Sequence, residues 1–298
     1  MKLEHIIANR IEIARPMIGS DVELATQIQT QLGRIGLLDP PSDGKFGAVS
    51  HWALQALLTK LKSPDKTVID AELARVLLDD ETADLFPAVP TTDLAGRVVS
   101  AASRRGYWLC RHPDCLNILY IEGMDADGAA NDDEPNVFND LRLMLRFTRT
   151  GRPVIEKSWE ATTEPGAFYT RVKKLDPRGA ARIEFGQYKA WRVGTHMQGR
   201  PTAHEALVQS SEIVVFRDLN EDFERTGDAR FEGMFGINQH AGGDVPKSDI
   251  RRASAGCLVG RTKTGHREFM ELCKSDPRYV ATRGYTFMTG VMPAQDVT

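Results

Sequence analysis

Around residues 85–97 the hydrophobic pattern of this chain changes period, and that change limits the possible folds more than any other feature. Before it, Val22, Leu24, Ile28, Leu32, Ile35 and Leu37 recur at spacings close to one face of a helix, with Asp21 placed to cap its start. A turn-rich stretch, Asp39 to Gly47, separates this from a second helical pattern carrying Trp52, Leu54, Leu57 and Leu58. The prolines of Leu85-Phe86-Pro87-Ala88-Val89-Pro90 then close the helical region. After it come short β-prone runs, 118–121, 143–147 and 213–216, divided by Gly, Pro, Asn and Asp clusters. Helical patterning returns only at 266–273. The expected class is α+β multidomain, a small helical module over residues 1–92 followed by a mostly β domain over 97–298.

Composition narrows the partners. Of 298 residues, 41% are hydrophobic and 27% charged, values of an ordinary globular protein. A net charge of -3 with no basic stripe argues against nucleic acid as ligand. No apolar run approaches the roughly 20 residues of a membrane span. Glu4, His5, Asn9 and Arg10 interrupt the N-terminal segment, so a signal peptide is not expected and synthesis in the cytoplasm is. Cys110 and Cys115 with His112 fall one short of the tetrahedral set of a structural zinc site, so ordinary thiols, or a local disulfide, are expected there. Asp218, Asn220 and Asp222 alternate like calcium ligands, but Phe223 stands where the sharp-turn glycine belongs, and an exposed acidic turn is expected instead.

The residues that carry chemistry lie late in the chain. A β-prone segment ends in His240 followed by Ala241-Gly242-Gly243, and Cys257 comes 17 residues later behind Ser254-Ala255-Gly256. A thiol attacks an acyl carbon as thiolate, so a nearby imidazole to take its proton is the minimum equipment. Small residues before the cysteine leave room for substrate, and backbone N–H groups around Gly256 and Cys257 are candidates for an oxyanion hole. No metal or cofactor is needed for that chemistry.

Two resemblances give the constellation a setting. Over roughly residues 20–60, Leu32, Gly33, Gly36, Leu37, Asp43, Gly44, Phe46, Gly47, Trp52, Ala53 and Leu54 resemble the three-helix peptidoglycan-binding module. His240, thirteen residues, Ser254-Ala255-Gly256-Cys257 resembles the active-site signature of the L,D-transpeptidase catalytic domain. Phe235-Gly236-Ile237-Asn238 before His240 resembles a variant subgroup, many of it in phage settings. The resemblance implies Cys257 as acyl-accepting nucleophile, His240 as general base, and Ser254 and Gly256 shaping the oxyanion pocket. It departs at Ala255, where His or Arg is usual, and at Val259, where a polar residue is usual. Arg252 and Arg261 are then candidates to bind a stem-peptide carboxylate, and His196 and Tyr188 to line the cleft. The implied partner is peptidoglycan, at the bacterial wall or periplasm, met by a phage lysin or a delivered effector. An amine acceptor would give transpeptidation and water would give carboxypeptidase or endopeptidase action. The alternatives are a non-catalytic wall-binding or phage structural protein, and a cysteine hydrolase acting on protein.

Overall fold

The computed structural model describes residues 1–298. The first part holds α1 (Leu3–Asn9), β1 (Ile13–Ala14), α2 (Val22–Ile35), α3 (Ala48–Lys60), β2 (Val68–Ile69) and α4 (Ala71–Leu78), with β1 and β2 paired antiparallel. The Asp21 side chain accepts the Leu24 N–H and starts α2, and Gly36 ends it at φ 89°. Leu24, Ile28, Leu32 and Ile35 on α2 pack with Leu54, Leu57, Leu58, Leu73 and Leu77 into one core. Val22 does not join them: it lies in the first turn and is 67% exposed. Buried Gln29 holds the Asp43-Gly44 turn, accepting the Gly44 N–H (2.8 Å) and donating to Asp43 Oδ1 (2.8 Å).

The second part opens with a helix, α5 (Leu94–Arg104), where β structure was expected to begin. Then come β3 (Asn117–Glu122), β4 (Asp140–Phe147), β5 (Pro153–Thr162), β6 (Ala180–Ile183), β7 (Gly186–His196), β8 (His204–Gln209), β9 (Ile213–Asp218) and β10 (Ala229–Gly233). They are followed by β11 (Gln239–Ala241), β12 (Leu258–Gly260), α6 (Lys263–Ser275), α7 (Pro277–Ala281) and β13 (Phe287–Pro293). Eight strands close a barrel in the order β11-β12-β5-β4-β3-β13-β7-β8, and β10-β9-β6 form a separate small sheet. The fold is therefore α+β, and the expected strand runs fall within β3, β4 and β9. Ile118, Tyr120, Trp191, Leu258 and Phe269 belong to the largest core of this part, and α5 covers an outer face through Val98, Ala101 and Ala102. No helix is long and apolar enough to cross a membrane.

Two expectations about single residues are answered here. Cys110 and Cys115 are free, buried thiols. Asp218 is buried rather than exposed, because its carboxylate accepts the N–H groups of Glu221 (2.6 Å) and Phe223 (3.1 Å) and caps the turn. The Gly33–Gly36 segment is covered by the connection between α5 and β3: Trp108 Nε1 donates to the Gly33 carbonyl (2.8 Å) and the Arg111 N–H to that of Gly36 (2.8 Å).

Candidate active site

Strands β11 and β12 run parallel, with His240 level with Val259 and Gln239 level with Leu258. Side chains alternate faces along a strand. Asn238, His240, Cys257 and Val259 therefore share the outer face, while Leu258 turns into the core. Residues 17 positions apart in sequence become neighbours through this pairing.

Cys257 follows a turn that only glycine tolerates. Gly256 has φ 121°, and a Cβ there would lie 2.4 Å from the Ala181 carbonyl oxygen. Ser254 closes the turn, its Oγ donating to the Cys257 carbonyl (2.9 Å) and accepting the Gly256 N–H (3.0 Å). The loop before it is pinned by Asn136, whose carbonyl accepts the Ile250 N–H (3.0 Å) and whose side chain donates to Asp249 (3.1 Å). Behind the turn, next to Ala181, Arg182 and Arg225 bind the buried Glu122 carboxylate at 2.9 and 2.6 Å.

The resting thiol is held by backbone. Its Sγ accepts the Asn238 N–H (3.4 Å) and donates toward the Gly236 carbonyl (3.7 Å). Surrounding protein pushes the thiol up to about 11, against a smaller opposite pull from the Asn238 N–H. His240 Nδ1 lies 2.9 Å from the Ala241 carbonyl, which can only accept, so Nδ1 carries the proton and Nε2 keeps its lone pair. Burial, reinforced by the neighbouring His196, holds this imidazole well below the usual histidine range. A neutral thiol and a neutral base thus line the same cavity.

His240 is one of four clustered histidines. His196 stacks on it, ring centroids 3.8 Å apart and planes within 8°. His204 meets both rings edge-on at 5.4 and 5.7 Å, and His266 meets His204 at 5.8 Å. Hydrogen bonds fix their protons. Asn238 Oδ1 accepts the Gln209 N–H, so its Nδ2 donates to His196 Nδ1 (2.9 Å), which leaves the His196 proton on Nε2. His204 donates from Nδ1 to Thr202 and accepts the Ala241 N–H at Nε2. His266 donates to the Glu205 carbonyl and faces Arg142 across 3.4 Å. Burial lowers His196 to about 4, with His204 adding to it, and lowers His266 to about 3, with Arg142 adding.

Cys257, His240, His196, His204 and Ala255 line one cavity of about 1280 Å³, and Arg252 extends from it into a second of about 740 Å³. Arg252 lies 4.1 Å over the Phe168 ring. Two expected substrate-binding residues are not brought to the cavity. Arg261 is committed to Glu160 (2.5 Å) and the Val245 carbonyl (3.2 Å). The Tyr188 hydroxyl donates to the Glu184 carbonyl (3.1 Å) against the core. Conversely, His204 and His266 gave no sequence signal, because their partners lie on elements distant in the chain, and Asn238 stood out only as part of the motif before His240. The β7–β8 register, which sets His196 opposite His204, is what gathers them.

No family model matches the chain, and no curated protein matches it in sequence. Among solved structures, a fused Zn-dependent amidase/peptidase/peptidoglycan-binding domain-containing protein from Clostridium acetobutylicum aligns over 95% of this chain and 99% of its own. The TM-score is 0.31 and the identity 11%, a superposition too loose to assign a role to any residue.

Proposed function

We propose that the chain is a cysteine acyl enzyme that attacks stem-peptide amide bonds of peptidoglycan through a thioester on Cys257, acting at the bacterial wall. One observation carries the chemistry: a neutral His240, its Nε2 without a partner in the protein, shares a strand-pair face and a cavity with the Cys257 thiol. The substrate class rests on the Ser254-Ala255-Gly256-Cys257 signature and the Leu32-to-Leu54 module pattern. In this reading a bound amide draws the thiol away from the Gly236 carbonyl. His240 takes its proton as the S–C bond forms, then returns it to the leaving amine. Amine or water resolves the thioester, giving transpeptidation or hydrolysis.

A non-catalytic wall-binding protein is the second reading, favoured by the elevated thiol and by a proton directed at Gly236 rather than at His240. Incubating purified muropeptides with the wild type and with Cys257→Ala, and following products by mass spectrometry, separates the two. The enzyme reading expects products from the wild type alone and an acyl adduct on Cys257. It is abandoned if the wild type neither cleaves nor cross-links muropeptides and no acyl adduct forms on Cys257.

A further inference from the structure

An acyl-transfer site needs donors aimed at the oxygen that becomes negative, and such holes gain most from donors fixed before reaction. The turn around Cys257 supplies fewer than its sequence suggests. The Gly256 N–H is consumed by Ser254 Oγ at 3.0 Å. The Cys257 N–H has no partner within the protein and is available. Ala255 offers the cavity only a methyl group.

The histidine cluster holds what is missing. His204 and His266 have both ring nitrogens engaged, and His240 has Nδ1 engaged. Two ring nitrogens of the four rings stay open, the lone pair of His240 Nε2 and the N–H of His196 Nε2. Both residues line the cavity that holds Cys257. His196 is fixed twice, by Asn238 at Nδ1 (2.9 Å) and by the flat stack on His240 (3.8 Å). Asn238 also reaches Sγ through its backbone N–H, so one residue ties the second imidazole to the nucleophile.

We propose that His196 is a further catalytic residue, donating its Nε2–H, together with the Cys257 N–H, to the oxygen of the carbonyl that Cys257 attacks. The assignment rests on Cys257 being the nucleophile of the proposed function. Sγ–H gives its proton to His240 Nε2 and the sulfur pair forms the S–C bond. The C=O π pair moves to oxygen, which accepts both hydrogen bonds. Collapse restores C=O and expels the leaving group. Its depressed basicity keeps His196 a neutral N–H donor at neutral pH, as in other sites where an imidazole rather than an imidazolium polarises a carbonyl.

Two small probes isolate this role without any wall substrate. Iodoacetamide alkylates sulfur by displacement at a saturated carbon and develops no oxyanion, whereas p-nitrophenyl acetate acylates it through one. Adducts at Cys257 are resolved by mass spectrometry, since Cys110, Cys115 and Cys273 are buried. His196→Phe keeps a flat ring for the stack and lacks the donor; His196→Gln keeps a donor and lacks the ring. In His196→Phe, acylation is expected to slow about 100-fold, the usual cost of one lost oxyanion donor, with alkylation changed by no more than about threefold. His196→Gln is expected to recover at least about tenfold of the acylation lost in His196→Phe. Equal slowing of both reactions in His196→Phe would make His196 a mere support for His240 and overturn the proposal, as would acylation at the wild-type rate. If His196→Phe loses its folded circular dichroism, His196→Gln and His196→Asn decide: acylation more than about 100-fold slower in both, with alkylation preserved, rules out donation. A wild type that forms neither adduct fails at the nucleophile itself, which removes the proposed function and this inference together.

Discussion

At the scale of single residues, the consequence to test is the protonation of the pair. A thiol pushed up to about 11 is almost wholly protonated at neutral pH. Because only thiolate reacts, iodoacetamide labelling of Cys257 is expected to rise about tenfold per pH unit between about pH 7 and 10, with no neutral plateau. His240 is shifted the other way, so its base form persists below the ordinary histidine value. The acid limb of acylation by an ester probe is therefore expected below about pH 6.5. A plateau of labelling at neutral pH would mean a preformed thiolate–imidazolium pair and would contradict this assignment. Gly256 gives a steric prediction at the same scale. Gly256→Ala places a Cβ against the Ala181 carbonyl at a φ of 121° and is expected to cost about 1–3 kcal/mol in urea unfolding, with slower labelling of Cys257.

Among elements, the segment 233–237 is the piece whose placement depends on one distant side chain. The Gln209 amide accepts the N–H groups of Phe235 and Ile237 (both 3.0 Å) and donates to the carbonyls of Gly233 and Ser211 (both 3.0 Å). Gln209→Ala is expected to lower stability by about 2–4 kcal/mol, since each buried unpaired group costs about 1–3 kcal/mol. The thiol sits on the Gly236 carbonyl, so the variant is also expected to change the Cys257 labelling rate, measured beside the melting temperature. The same example shows what was readable in the chain. The longer strands β3, β4 and β9 announced themselves as apolar β-prone runs, and the cap at Asp21 was legible from its type and place. Strands β11 and β12 have three residues each, too few for alternation to register, and only the His240 and Cys257 chemistry drew attention to them. Helix α5 was missed although Leu94, Val98, Ala101 and Ala102 recur at helical spacing, because alanines carry much of that face and it lies just past the prolines read as a boundary. Arg261 was expected at the substrate because sequence proximity to Cys257 says nothing of the Glu160 carboxylate that β5 brings to it.

Across the whole molecule, the helical module and the barrel meet through charges that neither part could leave buried alone. Asp39 is 2% exposed; Lys189 approaches its carboxylate at 2.6 Å, Tyr285 donates to it at 3.1 Å, and Arg278 lies 3.8 Å away. Asp276 holds Arg278 from the other side at 2.7 Å. The glycines that suggested a wall-binding module are used at this seam: a Cβ on Gly36 would come 2.8 Å from the Arg111 side chain, at a φ of 89°. Removing the Asp39 carboxylate takes the 2.6 Å partner from partly exposed Lys189 and leaves the buried Tyr285 hydroxyl unpaired, while Arg278 keeps Asp276; an unpaired buried polar group costs about 1–3 kcal/mol. Asp39→Ala is accordingly expected to lower the melting temperature markedly and to expose the 86–94 connection to limited proteolysis. Asp39→Asn keeps the Tyr285 hydrogen bond and is expected to recover only part of the loss. If Asp39→Ala melts and resists protease like the wild type, the seam is a loose contact between independent parts. If it fails as expected, the module supports the barrel that carries Cys257, whatever else it binds.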